Sequence, residues 1–477
     1  MPDYEKVLQK VLKKIKPKLT EKKELENLAK NSLELTKKLA SKYQAKAILA
    51  GSVTRDTWLP DKKEFDIFIL FPEELEEKKM EELGLEIGKK VIKKFKGKFK
   101  IEYAEHPYVS GSIKGIDVDI VPAYELKSLE KIKSAVDRTP FHVKYIEEHL
   151  SLEQSDQVRL LKQFVKAINA YGADAKTQGF SGYVCELLII KYKNFIDALK
   201  AIVNWMPGEI IDLENFYEKK DYPQLRQKFR GQALIIIDPT DKNRNTSSAL
   251  SSENFFKIKK HARQFLEKPS ENFFFERKIN PITEKEFIKN LKHRKTQILI
   301  IKFYPPKTVP DILWPQLRKF ANRLKNILEE TKYEFKVFGK DVYTNEKDFA
   351  LVLLEMEIFE LPFIQKRRGP LIFDLDDSKR FLEKHSKIAI SGPYVEDNFW
   401  VAEVRRRFLT AKEKLIDTLN KDLDILKAKG IPELIAKEIS KKGFKVIDDT
   451  REIIKLFKKE KGFGVFLRKY FEKESFV

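Results

Sequence analysis

A chain of 477 residues has room for three or four domains, and its 42% apolar fraction is enough to fill their cores. The formal charge of +21 points to a polyanionic partner or to a generic Lys-rich surface, and the abundance of Lys and Glu suits a thermophile. The one cysteine, Cys185 in an apolar run, excludes an internal disulfide or cysteine zinc site and reads as a buried filler; with no signal-peptide or membrane-spanning pattern, a soluble cytoplasmic protein without a membrane partner is expected.

Residues 1 to about 43 are expected to be helical, with Leu25, Leu28, Leu35 and Leu39 at helical spacing and Thr20 as the N-cap. The run Ala47-Ile48-Leu49-Ala50 then predicts a buried strand that ends at Gly51. Gly51-Ser52 turns the chain, leaving backbone N–H groups and a hydroxyl for phosphate oxygens, and Arg55 adds a bidentate clamp. In the next strand, Glu64-Phe65-Asp66-Ile67-Phe68-Ile69-Leu70, Glu64 and Asp66 share one face while Phe65, Ile67 and Ile69 fill the core. A Lys/Glu-rich helix near 73–94 follows. The run Lys93-Lys94-Phe95-Lys96-Gly97-Lys98-Phe99-Lys100 reads as an RNA-facing patch or as a solvated turn entering a strand. Within Glu102-Tyr103-Ala104-Glu105-His106-Pro107-Tyr108-Val109-Ser110-Gly111, His106 reads as a satisfied polar residue or as a functional one. Ile116-Asp117-Val118-Asp119-Ile120-Val121-Pro122 is a further strand with acids on one face, and Pro122 is expected to close it.

Two carboxylates on one sheet face repel each other unless something neutralises them. Hard divalent cations do so, and magnesium takes one or two carboxylates together with substrate phosphates. An isolated Glu-x-Asp pair reads as a solvated strand face. The phosphate-type turn before it and the strand over 116–122 behind it turn the reading to a metal site built from Glu64, Asp66 and a carboxylate of that later strand.

Beyond this region Pro140 marks a turn, and a mostly helical stretch follows. Lys162 lies in the helical pattern Val158–Lys166, where a snorkelling lysine is the plain reading, and Gln178-Gly179-Phe180-Ser181-Gly182-Tyr183 opens another apolar helix. Leu234-Ile235-Ile236-Ile237 predicts a buried strand ending in a polar loop, Asp238 to Asn245. From about 260 the order is a strand at Gln297–Phe303, a helix from Ile312 to about Thr331, and strands at Tyr333–Phe338 and Phe349–Met356, compatible with a ferredoxin-like body. The basic clusters Lys366-Arg367-Arg368 and Arg405-Arg406-Arg407, near Trp400 and Phe408, read as phosphate contacts with base-stacking aromatics, or as a solvated face over core aromatics.

Gly51-Ser52 through Trp58, Glu64-Phe65-Asp66 and Asp119-Ile120-Val121-Pro122 together resemble the nucleotidyltransferase superfamily built on the DNA-polymerase-beta palm. Within it the chain resembles the archaeal, class I CCA-adding enzymes, and the likeness spans the whole sequence. The resemblance implies an α+β multidomain chain: N-terminal helices and a polymerase-beta-like palm over 1–148, a helical central domain over 149–260, and a ferredoxin-like body with an RNA-binding tail over 261–477. It implies untemplated addition and repair of CCA on tRNA from CTP and ATP by two-metal transfer with release of pyrophosphate, with two Mg2+ ions on Glu64, Asp66 and Asp119, and a homodimer. By the same resemblance Ser52, Arg55, His142, Lys162 and Tyr171 hold the nucleotide, and Arg138 and Thr139 line the pocket rim. His142 alone also reads as a cap or surface residue. Arg244, in the Asp-Pro-x-Asp-x-x-Arg-Asn element, reads as a base- or RNA-recognising donor set or as a loop ion pair. Asp117 shares a face with Asp119 and stays outside the metal set. Two competing readings are another untemplated RNA polymerase, adding adenylate, and an RNA-binding protein with an idle palm.

Overall fold

In the computed structural model, which describes residues 4–103, 106–128, 132–330 and 333–473, the chain opens on two helices, α1 (Tyr4–Ile15) and α2 (Leu19–Ala40). Ala104, Glu105 and Thr331 lie outside the described residues. The N-cap of α2 is Lys18 rather than Thr20, because Glu21 reaches back to accept the Lys18 backbone N–H at 3.0 Å. Leu25 and Ala29 of α2 are buried in the core of the sheet that follows.

That sheet contains β1 (Lys46–Ala50), β2 (Glu64–Phe71), β3 (Lys98–Tyr103), β4 (Pro107–Ile113) and β5 (Ile116–Tyr124), in the order β1-β2-β5-β4-β3. Only β2 and β5 run parallel; the crossover between them carries α3 (Glu77–Lys94), β3 and β4. Pro122 does not end β5. The pairing of β4 stops at Ile120, so Pro122 faces an unpaired edge where its missing N–H costs nothing. The basic run 93–100 is the end of α3, a turn with Lys96 at φ 56°, and the start of β3.

Next come α4 (Thr139–His149), α5 (Ser155–Ala167), α6 (Gly182–Tyr192) and α7 (Phe195–Asn204), then β6 (Glu209–Ile211), α8 (Tyr222–Lys228), β7 (Leu234–Asp238), β8 (Asp241–Asn245) and α9 (Ser252–Glu267). The polar segment expected as a loop after Ile237 is a hairpin: Asp238 pairs with Asp241, and the Asp238 side chain closes the turn by accepting the Thr240 N–H at 2.9 Å. Phe164 of α5, Phe195 of α7, Phe265 of α9 and Phe274 form one buried aromatic cluster. These elements belong to a first unit, Met1–Arg277; a second comprises Lys278–Phe476.

The second unit contains α10 (Glu284–Arg294), β9 (Gln297–Phe303), α11 (Pro310–Leu328), β10 (Lys336–Thr344) and β11 (Ala350–Ile358). It continues through β12 (Ile364–Leu371), α12 (Leu375–His385), β13 (Ala389–Glu396) and β14 (Phe399–Arg405) to α13 (Ala411–Leu419), α14 (Leu423–Ala428) and α15 (Glu433–Lys442). It closes on β15 (Phe444–Ile447), α16 (Thr450–Lys459) and α17 (Lys461–Phe471). The order β10-β11-β9-β15, antiparallel throughout, is ferredoxin-like, with the sheet β12-β14-β13 inserted before its last strand. Lys366, Arg367 and Arg368 are exposed on β12, and the Arg368 guanidinium lies 3.5 Å from the Phe399 ring centroid. Trp400 and Phe408 are half-buried, Trp400 donating to Ser378 Oγ at 3.0 Å, while Arg405 and Arg407 are exposed. Among the described residues no helix is long and apolar enough to cross a membrane.

Candidate active site

The parallel pairing of β2 with β5 sets Asp66 opposite Asp119 and Glu64 opposite Asp117. Gly51 ends β1 at φ +86°, and a Cβ there would stand 3.0 Å from Asp66 Oδ2, so the turn packs bare backbone against that carboxylate. Burial, then the charges of Asp119 and Glu64, push the Asp66 carboxyl up to about 7. Burial also raises Asp119, with Glu64 and Asp117 adding to the shift and the Ser110 hydroxyl opposing it. Tyr108 on β4 is driven up to about 12 by burial and by Asp119, Glu102 and Asp66. An all-oxygen donor set whose members resist ionising together fits a hard divalent cation. Glu64 Oε1 is paired with Lys62 Nζ at 2.7 Å, while its charge still bears on Asp66 and Asp119. Among the described residues the one set of three ligand-type side chains converging within 4.8 Å is Glu77, Glu81 and His106; Glu64, Asp66 and Asp119 do not draw together that tightly. His106 is buried, with Nδ1 3.1 Å from Glu81 Oε1. Asp117 is exposed.

The turn from Gly51 to Trp58 is tied down by α5 and α6. Ser155 donates to Arg55 O at 2.9 Å, and buried Arg159 donates to Trp58 O at 3.2 Å and pairs with Asp56. Ser52 is half-buried in the turn, and its carbonyl accepts the Thr57 N–H at 3.0 Å. Arg55 Nη2 meets Glu186 Oε2 at 3.1 Å; Glu186 Oε1 accepts from Thr57 Oγ1 at 2.7 Å and from Lys162 Nζ at 3.4 Å. Lys162 is therefore not a snorkelling surface lysine: it is 2% exposed and also donates to Thr57 O at 3.2 Å and Oγ1 at 3.0 Å. Burial pulls the Lys162 ammonium below its usual range, with Glu186 opposing; Glu186 itself is held below the carboxylate range by Lys162, Arg55 and Thr57 against its burial. Tyr171 belongs to the same place. A Cβ on Gly182, the first residue of α6, would lie 3.3 Å from Tyr171 Oη and 3.6 Å from Lys162 Nζ.

One residue further along α6, Tyr183 stacks on His142 of α4, ring centroids 4.3 Å apart. His142 Nε2 donates to Asp238 Oδ2 at 2.8 Å, and Arg244 Nη1 reaches the same oxygen at 2.8 Å. Asp238 is fully buried and held far below the usual carboxylate range; His142 and Thr240 outweigh the burial that opposes them. Arg244 is thus both half-exposed and ion-paired. Arg138 donates to Asp241 Oδ2 at 3.3 Å, on the same hairpin, and Thr139 begins α4.

The structure therefore brings Asp66 to Asp119, Arg55 and Tyr171 to Lys162, and His142 to Arg244. Sequence reading missed the roles of Glu186 and Thr57, while Ser110 lies in the segment 102–111 that the resemblance puts close to the active site. Glu186 left a signal, a lone carboxylate inside the run Val184-Cys185-Glu186-Leu187-Leu188, where a helical charge among apolar residues demands buried cations. Cys185 beside it is buried, its thiol pushed up to about 12, which fits an inert filler.

The sequence is similar to that of known proteins along most of its length. Residues 32–142 match the family model of a nucleotidyltransferase domain, 156–275 that of the second domain of tRNA nucleotidyltransferase, and 294–449 that of the C-terminal domain of CCA-adding enzymes. The chain is 38% identical over 464 residues to the CCA-adding enzyme of Methanosarcina mazei, covering 96% of this chain and 97% of that one. The Methanosarcina acetivorans counterpart is 36% identical over 464 residues, with 96% and 97% covered. That of Methanocaldococcus jannaschii is 38% identical over 395 residues, with 81% and 85% covered.

Proposed function

The chain belongs to the CCA-adding enzymes, nucleotidyltransferases that act on tRNA, and from that premise we propose how its own residues carry out the transfer. Glu64, Asp66 and Asp119 hold magnesium, for which the facing pair Asp66 and Asp119 is the supporting observation. When bound, the metal activates the tRNA 3′-hydroxyl and neutralises the leaving pyrophosphate. CTP and then ATP are the substrates. The primer oxygen forms a bond to the α-phosphorus as the bond to pyrophosphate breaks, a displacement governed mainly by positioning and charge.

Ser52 and Arg55 hold triphosphate oxygens from the palm turn, and Lys162 and Tyr171 hold them from α5 and the segment after it. His142 lies against the nucleotide with its ring fixed by Tyr183 and Asp238. Arg244, oriented by Asp238, offers its remaining donors to a base edge or to the primer end, and Arg138 and Thr139 complete the rim. The basic strands β12 and β14 of the second unit take the upper half of tRNA by its backbone and A-form shape. The enzyme works in the cytoplasm as a homodimer.

Extension of a labelled tRNA transcript lacking CCA tests this reading. With magnesium, CTP alone gives two additions, and a third follows only when ATP is also present. A long adenylate tail, or no extension by a protein that still binds the tRNA, would overturn it.

A further inference from the structure

We propose that Glu186 is a positioning residue for nucleotidyl transfer, holding the Arg55 guanidinium and the Lys162 ammonium at the spacing at which both meet one polyphosphate. The inference rests on the reading above, in which Arg55 and Lys162 bind nucleotide phosphates.

Glu186 is 2% exposed on an otherwise apolar stretch of α6. Its carboxylate, carried by α6, gathers groups from two other elements: Arg55 and Thr57 from the turn after β1, and Lys162 from α5. Without that anion the two cations would repel each other and move toward solvent. Two cations from different elements share one carboxylate where burial penalises charge, and an anionic ligand arriving there meets both.

Two further features mark where the anion goes. Arg55 Nε is buried with no hydrogen-bond partner among the described residues. Gly182 opens α6 without a side chain, so that a Cβ there would stand 3.3 Å from Tyr171 Oη and 3.6 Å from Lys162 Nζ, and the Ser181 side chain caps that helix end by accepting the Val184 N–H at 3.0 Å. The ligand chemistry is that of a polyphosphate tail, which CTP and ATP share. Glu186 therefore governs rate with both nucleotides alike and leaves the choice of base to other residues.

The test compares Glu186→Gln, Glu186→Asp and Lys162→Ala in steady-state extension of tRNA, with inhibition by inorganic tripolyphosphate as a nucleobase-free probe. Glu186→Gln removes a negative charge but keeps the shape. It should lower kcat by about 30- to 100-fold for CTP and ATP equally, the scale of a misplacement near 1 Å. The KM for either nucleotide and the tripolyphosphate inhibition constant should rise less than in Lys162→Ala, because both cations are displaced but still present, and the KM for tRNA should stay within about twofold. Glu186→Asp, which restores the charge, should recover most of the lost rate. Lys162→Ala, by contrast, should raise the nucleotide KM and weaken tripolyphosphate binding. A Glu186→Gln enzyme with normal kcat would overturn the proposal. So would equal loss of Tm and activity in the Gln and Asp variants, which would make Glu186 a structural brace. If Lys162→Ala left the nucleotide KM and tripolyphosphate inhibition unchanged, the phosphate-binding reading itself would fall.

Discussion

Asp66 and Asp119 stand opposite each other on the parallel strands β2 and β5, and burial together with that neighbouring charge pushes Asp66 up to about 7. The arrangement costs stability until a cation lies between them. In chelator, Asp66→Asn should therefore raise Tm by about 2 °C, corresponding to roughly 1 kcal/mol, while abolishing extension. Thermal melts with and without magnesium check this. A fall in Tm would mean that the pair is not under repulsion.

Gly51 is required by that carboxylate. Gly51→Ala places a methyl group 3.0 Å from Asp66 Oδ2 and forces an L side chain to φ +86°, which costs about 1–2 kcal/mol. Extension should fall more than tenfold, with Tm lowered by only a few degrees. Wild-type turnover in the Ala variant would show that the turn has room to spare.

Asp238 holds His142 and Arg244 by one oxygen and Thr240 by the other. Asp238→Asn keeps the size but halves the charge-assisted bonding, so the KM for CTP and ATP should rise about tenfold, roughly 1.4 kcal/mol. Discrimination against UTP and GTP should weaken in parallel. Unchanged selectivity would remove Arg244 and His142 from nucleotide recognition.

How much of this was visible beforehand differs by element. The strands carrying Glu64, Asp66 and Asp119 announce themselves because period-two alternation and a Gly-Ser turn are local features. Their juxtaposition is not local. It depends on a parallel register closed by a crossover of more than forty residues, and Pro122 misled because its fate turns on which neighbour ends first. From its helix alone Lys162 reads as a snorkelling lysine, only the resemblance gives it to the nucleotide phosphates, and the arrival of Glu186 from another helix explains its burial. The Asp238–Asn245 segment read as a loop, since its hairpin is made by a side chain closing the turn rather than by strand propensity. In the second unit β9 and β11 are legible as apolar runs and β10 only in part, since it runs from Lys336 to Thr344, while the polar strands β12, β13 and β14 and the short β15 carry no apolar run that marks them.

His261 supplies a stability test independent of the site. It sits against Phe164 and Phe273, donates Nε2–H to Phe273 O at 2.9 Å, and burial lowers its pKa from 6.5 to about 4. Above pH 6.5 it is neutral in both folded and unfolded chains and contributes nothing to the pH dependence. As pH falls from 6.5 toward 4 only the unfolded chain takes up the proton, so stability is lost, by up to about 3 kcal/mol. His261→Gln keeps a donor without a titration. Denaturant melts at pH 7 and pH 4 should show a smaller acid loss in the Gln variant; equal losses would mean that the imidazole is protonated without unfolding.

The central claim is that the facing carboxylates carry the chemistry. It is tested most directly by single-turnover addition of CMP to a tRNA transcript across magnesium concentrations, with tRNA binding measured on the same preparations. Wild-type enzyme should saturate with magnesium, while Asp66→Ala and Asp119→Ala should bind tRNA normally and add nothing at any concentration. Addition at the wild-type rate by either variant would contradict the account and place the catalytic metal elsewhere.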